Sequence, residues 1–130
     1  MEDNFDFDPD EEIVFDEREQ AFIDMLSEYE RSTTFIVNPD EVKRMKRAYA
    51  AILQALKESG CKAKVGYGSL ETARDVGCIV VEAPEIQFKG KGISLFTEAA
   101  SLATNTEAFP LVNGNVQLTF GFNHLMIPVD

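Results

Sequence analysis

Apolar positions recur with a helical period in the first half of the chain and alternate with polar ones in the last third. The longest regular stretch is 38–60, where Val42, Met45, Tyr49, Ile52 and Leu56 recur at steps of three and four, widened by Ala48, Leu53 and Ala55. That spacing gathers one apolar face on a helix of 3.6 residues per turn. Both ends are signalled. Asn38 has a side-chain oxygen that can accept from an unpaired first-turn amide, and Pro39 loses no hydrogen bond at the first helical position. Asp40 and Glu41 place negative charge at the positive end of the helix dipole. Gly60 stands where the periodicity stops and can adopt the left-handed conformation that closes a helix. A long helix over about 39–59 is predicted, and the other elements are arranged around it.

Phe22, Leu26 and Tyr29, beside Met25, share one face over 16–30 and predict a second amphipathic helix, packed as an outer layer. Residues 32–37, STTFIV, and 62–67, KAKVGY, have the composition of short strands on either side of the long helix. Strand, helix, strand over about 35 residues is open to a right-handed βαβ crossover or to an antiparallel arrangement. GCIVV at 77–81 is the most continuous β-type run and is expected to be covered on both faces. Pro84 interrupts it, which leaves 85–88 as a further strand or as the same strand after a bulge. Ser94 is expected to cap a short helix reaching about Ala103, with Leu95, Phe96, Ala99 and Leu102 on its apolar side.

The last third carries the clearest strand. Val116, Leu118, Phe120 and Phe122 alternate with Gln117, Thr119 and Gly121, giving one apolar and one polar face. Asn113-Gly114 just before it is the pair a two-residue type I′ hairpin requires, since both central residues need positive φ. Leu125, Ile127 and Val129 predict a last short strand, and Pro128 places that strand at an edge. The fold expected is α+β in two layers, a mainly antiparallel sheet of five or six strands with the long helix and a shorter helix packed on it, preceded by an acidic N-terminal arm. Residues 1–31 form the arm, partly disordered with an amphipathic helix over 16–30, and residues 32–130 form a single α+β domain.

Charge changes this picture. The formal net charge is −11, but residues 1–30 hold thirteen acidic residues against Arg18 alone, while the rest holds ten acidic and eleven basic. Residues 1–30 therefore carry a net −12, more than the whole net charge, and the rest of the chain is nearly neutral. On the long helix, Lys43, Arg44, Lys46 and Arg47 crowd four basic residues into little more than one turn. Taken alone they suggest either a solvated face or a surface for nucleic acid. An arm of net −12 tethered to the same chain competes for that surface at high local concentration, so direct nucleic-acid binding is disfavoured. A docking surface for an acidic protein segment fits better, whether of a partner, of the chain itself or of a second copy in a homodimer. Phe5 and Phe7, set among the arm's carboxylates, are its apolar anchors.

Catalytic chemistry has little to build on. His124 is the only histidine, and Cys61 and Cys78 are the only cysteines. Three such residues cannot by themselves close a tetrahedral zinc site, and the arm's carboxylates lack the glycine turn and terminal glutamate of a calcium-binding loop. No metal or cofactor is expected. Gly66-Tyr67-Gly68-Ser69 lacks the third glycine of a dinucleotide fingerprint. Lys89 and Lys91, flanking Gly90 ahead of a helix, are anion-binding candidates weighed against a plain solvated turn. Glu82 and Glu85 could be read as paired carboxylates but are explained more simply as solvent-facing strand residues. No apolar run reaches the roughly eighteen residues of a membrane span, and the N-terminus has no signal-peptide character, so a cytoplasmic protein is expected. The leading reading is a non-enzymatic interaction or regulatory module; the rival is a small enzyme or ligand-binding domain using His124 and a cysteine.

Overall fold

The computed structural model describes residues 17–32, 35–68 and 77–128. Among them the order of elements is α1 (Glu17–Ser32), β1 (Phe35–Val37), α2 (Pro39–Ser59), β2 (Lys64–Tyr67), β3 (Gly77–Ala83), α3 (Lys91–Leu102), β4 (Asn105–Pro110), β5 (Val116–Phe122) and β6 (Met126–Pro128).

The long helix begins and ends at its cap signals. Asn38 Oδ1 accepts from the Asp40 amide at 3.2 Å, and Gly60 at φ 67° ends the helix with its N–H turned back to the last carbonyls. Asn38 also donates from Nδ2 to the His124 carbonyl at 3.1 Å, so the start of α2 is tied to the turn before β6. Val42, Met45, Ala48, Tyr49, Ile52, Ala55 and Leu56 are buried, whereas Leu53 lies at the margin of the stripe and is exposed.

The strands form an antiparallel sheet in the order β2-β3-β5-β4 and a separate pair, β1 with β6. Among the described residues this sheet has four strands, where five or six were expected, and β1 and β2, on either side of α2, lie in different sheets rather than in one crossover unit. β1 leaves for β6, while β2 runs antiparallel to β3 in a register that the Gly68 amide extends to the Cys78 carbonyl at 2.8 Å. β3 is not covered on both faces. Gly77, Ile79, Val81 and Ala83 are buried and alternate with half-buried Cys78, Val80 and Glu82, as in an antiparallel sheet with helices on one side only. Ile79, Val81, Leu118, Phe120 and Phe122 meet α2 and α3 in one core, which also takes Phe22 and Leu26 from α1. α1 therefore packs deeper than an outer layer.

Three further departures have local causes. Residues 85–88 form no strand, because the chain leaves the sheet at Pro84; Phe88 stacks on Phe96 instead, with ring centroids 4.8 Å apart. The hairpin before β5 has a five-residue loop, 111–115, closed by Leu111 N–H to the Asn115 carbonyl. Only Gly114 has positive φ there, so Asn113 does not sit in a type I′ turn. Its side chain accepts from the Asn115 amide instead. β4, whose sequence has no alternation, occupies the edge beyond β5 and is mostly exposed.

α3 starts at Lys91, three residues before Ser94, with Gly90 at φ 57° in the cap position and no side-chain cap. The reason is a close crossing with α2. A Cβ at Gly92 would lie 2.0 Å from Ser59 Oγ and 2.8 Å from the Ala55 carbonyl oxygen. Gly92→Ala gains about 1 kcal/mol of helix propensity. Overpacking against a helix backbone costs about 1–3 kcal/mol, and the carbonyl cannot swing away. A net loss of up to about 2 kcal/mol is expected, read as a lower urea midpoint at unchanged slope. Among the described residues no helix is long and apolar enough to cross a membrane.

Candidate functional site

Glu19, Phe22 and Leu26 lie at i, i+3 and i+7 of α1, so they share the face turned toward the body. Phe22 and Leu26 are buried, and Glu19 is only 2% exposed. A carboxylate taken so far from water costs several kcal/mol unless it is paired and hydrogen-bonded. Both conditions are met. Lys46 Nζ on α2 donates to Glu19 Oε1 at 2.7 Å, and the Tyr67 hydroxyl on β2 donates to Oε2 at 3.0 Å. The Tyr67 ring stacks on Phe22 and on Tyr49, with centroids 4.8 and 5.1 Å apart. The Arg18 guanidinium donates to the Val65 carbonyl, adding a second link to β2. One acidic side chain of α1 is thus clasped by one cation of α2 and one phenol of β2, above an aromatic stack.

Of the four basic residues singled out in the sequence, the structure brings Lys46 into this cluster and turns Arg44 elsewhere. Arg44 donates to the Leu102 carbonyl at 3.1 Å, at the negative end of α3, and lies 3.8 Å from Glu41. Lys43 and Arg47 are half-buried like the other two, and none of the four is free. Phe5 and Phe7 lie outside the described residues. Glu19 and Tyr67 carried no distinguishing sequence signal as site residues, one inside a run of acids and the other inside a glycine turn. The usable clue was that Glu19 falls on the apolar face of α1, three residues before Phe22.

The remaining candidates are dispersed. Lys89 and Lys91 have exposed side chains at the start of α3, and the Lys89 amide donates to Ser59 Oγ at 3.0 Å. His124 is exposed on the turn before β6, and among the described residues its ring has no hydrogen bond to either thiol. Cys61 donates to the Glu85 carbonyl at 3.5 Å. Cys78 faces Gly68, and burial raises its thiol above the ordinary value, opposed in part by a backbone hydrogen bond from Gly68. A thiol so placed is a poor nucleophile. Among the described residues no three of His, Cys, Asp and Glu stand together as a set that could hold a metal ion.

Glu82 is not paired with Glu85. Its carboxylate accepts from Asn115 Nδ2 at 2.8 Å and Asn113 Nδ2 at 3.3 Å, opposite Lys64 on β2. The hydrogen bond from Asn115, then that from Asn113, and more weakly Lys64, hold it below the ordinary glutamate value. A depressed folded value means that its contribution to stability is present above the ordinary glutamate range and is lost as the pH falls through the folded value. In a carboxyl-carbon NMR titration, Glu82 is expected to titrate below the exposed glutamates, and Asn115→Ala to move it back toward them.

Compared with known protein families, curated proteins and solved structures, the chain matches none.

Proposed function

We propose that the protein is a non-enzymatic interaction or regulatory module in which the acidic N-terminal segment, residues 1–31, docks on the basic side of the chain's own long helix. The observation that supports this most is the Glu19–Lys46 pair, in which an acid of that segment meets a base of that helix at 2.7 Å with the acid almost wholly buried. A buried ion pair stabilises little compared with apolar packing but strongly disfavours mispaired arrangements, so it serves position better than affinity. In this reading Phe22 and Leu26 anchor α1, Glu19 sets its register, and the carboxylates of residues 1–16 continue over Lys43 and Arg47, with Phe5 and Phe7 as further anchors.

The test is an amide NMR comparison of the full chain with one lacking residues 1–16, which leaves α1 in place. Docking of the arm is expected to concentrate the shift changes at residues 43–47. Raising salt to about 0.5 M, where exposed charges are screened within a few ångströms, is expected to move the same signals in the full chain. Superimposable spectra at both salt concentrations would remove residues 1–16 from the proposal.

A further inference from the structure

The clasp around Glu19 makes no use of Asn113-Gly114, the one asparagine of the chain that is followed by glycine. In such a pair the side-chain amide carbon and the next backbone nitrogen can meet, because glycine adds no side chain to screen its amide and leaves the backbone free to turn. Both residues are exposed on the loop between β4 and β5, and no atom lies within 4 Å of the place a Cβ at Gly114 would take. The folded loop, however, engages every group that a reaction between them needs. The Gly114 N–H donates to the Leu111 carbonyl at 3.0 Å, Asn113 Oδ1 accepts from the Asn115 amide at 2.9 Å, and Asn113 Nδ2 donates to Glu82 Oε2 at 3.3 Å. Glu82 is fixed in turn by Asn115 Nδ2 at 2.8 Å and stands between Lys64 on β2 and Gln117 on β5.

We propose that Asn113 is a site of spontaneous deamidation whose rate is set by the hydrogen bonds of the folded hairpin, and that its conversion places a second carboxylate against Glu82. The Gly114 nitrogen gives its proton to solvent hydroxide and bonds to Asn113 Cγ; the Cγ–Nδ2 bond breaks, and the nitrogen leaves as ammonia with a proton drawn from water. Water then opens the cyclic imide at either carbonyl, leaving an aspartyl or isoaspartyl residue at 113 with no change of oxidation state. The Asn115 amide favours the oxyanion that forms on Oδ1. That help comes only after the nucleophile has arrived, and the Gly114 nitrogen is held by Leu111 through the hydrogen it must lose. Holding therefore outweighs help, and folding slows the reaction. After conversion the donor that reached Glu82 is an acceptor of like charge, so the tie between the hairpin and β3 becomes a repulsion.

The full chain is incubated in mildly alkaline buffer, folded and in urea, and position 113 is followed by peptide mapping for the mass gain of amide-to-carboxyl conversion and for the isoaspartyl bond. In urea, conversion at 113 is expected to outrun that at every other asparagine. In the folded chain it is expected to be about 5–30-fold slower, the effect of one or two hydrogen bonds that must first break. Glu82→Ala removes the acceptor from the face of β3 away from the helices and is expected to speed conversion of the folded chain several-fold. No preference for 113 in urea would overturn the site, and equal rates in the folded and unfolded wild type would overturn the hairpin's control. An unchanged folded rate in Glu82→Ala would overturn the part given to Glu82. Asn113→Asp supplies the product directly and does not rely on that variant's folding. Its Glu82 carboxyl is expected to titrate above the wild-type position in a carboxyl-carbon NMR titration, and an unmoved Glu82 would overturn the repulsion.

Discussion

Phe120→Ala is expected to destabilise the protein by about 3–5 kcal/mol, a large part of the roughly 5–15 kcal/mol that holds a domain of this size together. Phe120 is fully buried at the centre of β5, paired across the sheet with Ile79 on one side and Thr106 on the other. Its ring meets Phe96 of α3 edge-on at 6.0 Å, so truncation opens a cavity between the sheet and the third helix. The strands on both sides hold the backbone in place and limit collapse into that space. Equilibrium unfolding in urea checks this, with the midpoint falling and the slope unchanged. Leu53→Ala on the exposed margin of α2 serves as control and is expected to change stability by no more than about 0.5 kcal/mol.

The second large effect belongs to the clasp. Lys46→Met keeps a long side chain on α2 but takes the cation from a carboxylate that is 2% exposed. Breaking a buried pair from one side costs about 3–5 kcal/mol, and here about 2–4, because the Lys46 side chain retains 30% exposure. Glu19→Gln removes the charge that needed compensation and keeps a group able to accept from Tyr67. It is expected to cost less than half as much. The order of the two variants matters more than either value: a seat held by apolar packing alone would tolerate both equally. Thermal or urea unfolding of the two proteins side by side gives that order.

Legibility in the sequence followed how local the determining contacts are. α2 could be read because its stripe, its Asn38 cap and its Gly60 terminus all lie within the helix itself, and β5 because alternation is a property of successive residues. Strand order could not, since β1 leaving for β6 and β4 joining the edge of β5 depend on pairings far apart in sequence. The start of α3 was misplaced because the deciding contact, Gly92 against Ser59 and Ala55, joins two helices. Asn113 was recognised as a turn residue, but its side-chain hydrogen bonds to Glu82 and the Asn115 amide replace the expected backbone conformation. At the candidate site Lys46 was visible as one of four bases. What separates it from Arg44 is a carboxylate 27 residues earlier and a hydroxyl on β2, and no local pattern records that meeting.

A double-mutant cycle on Glu19 and Lys46 tests most directly whether charge holds the acidic helix on α2. The free energies of unfolding of the wild type, Glu19→Gln, Lys46→Met and the double variant are measured in urea under one buffer. The double variant buries no unpaired carboxylate, so its loss is expected to fall short of the sum of the single losses by more than about 1 kcal/mol, as for directly interacting residues. Additivity within about 0.3 kcal/mol, the behaviour of independent sites, would show that Phe22 and Leu26 seat the helix without the ion pair and would contradict the account.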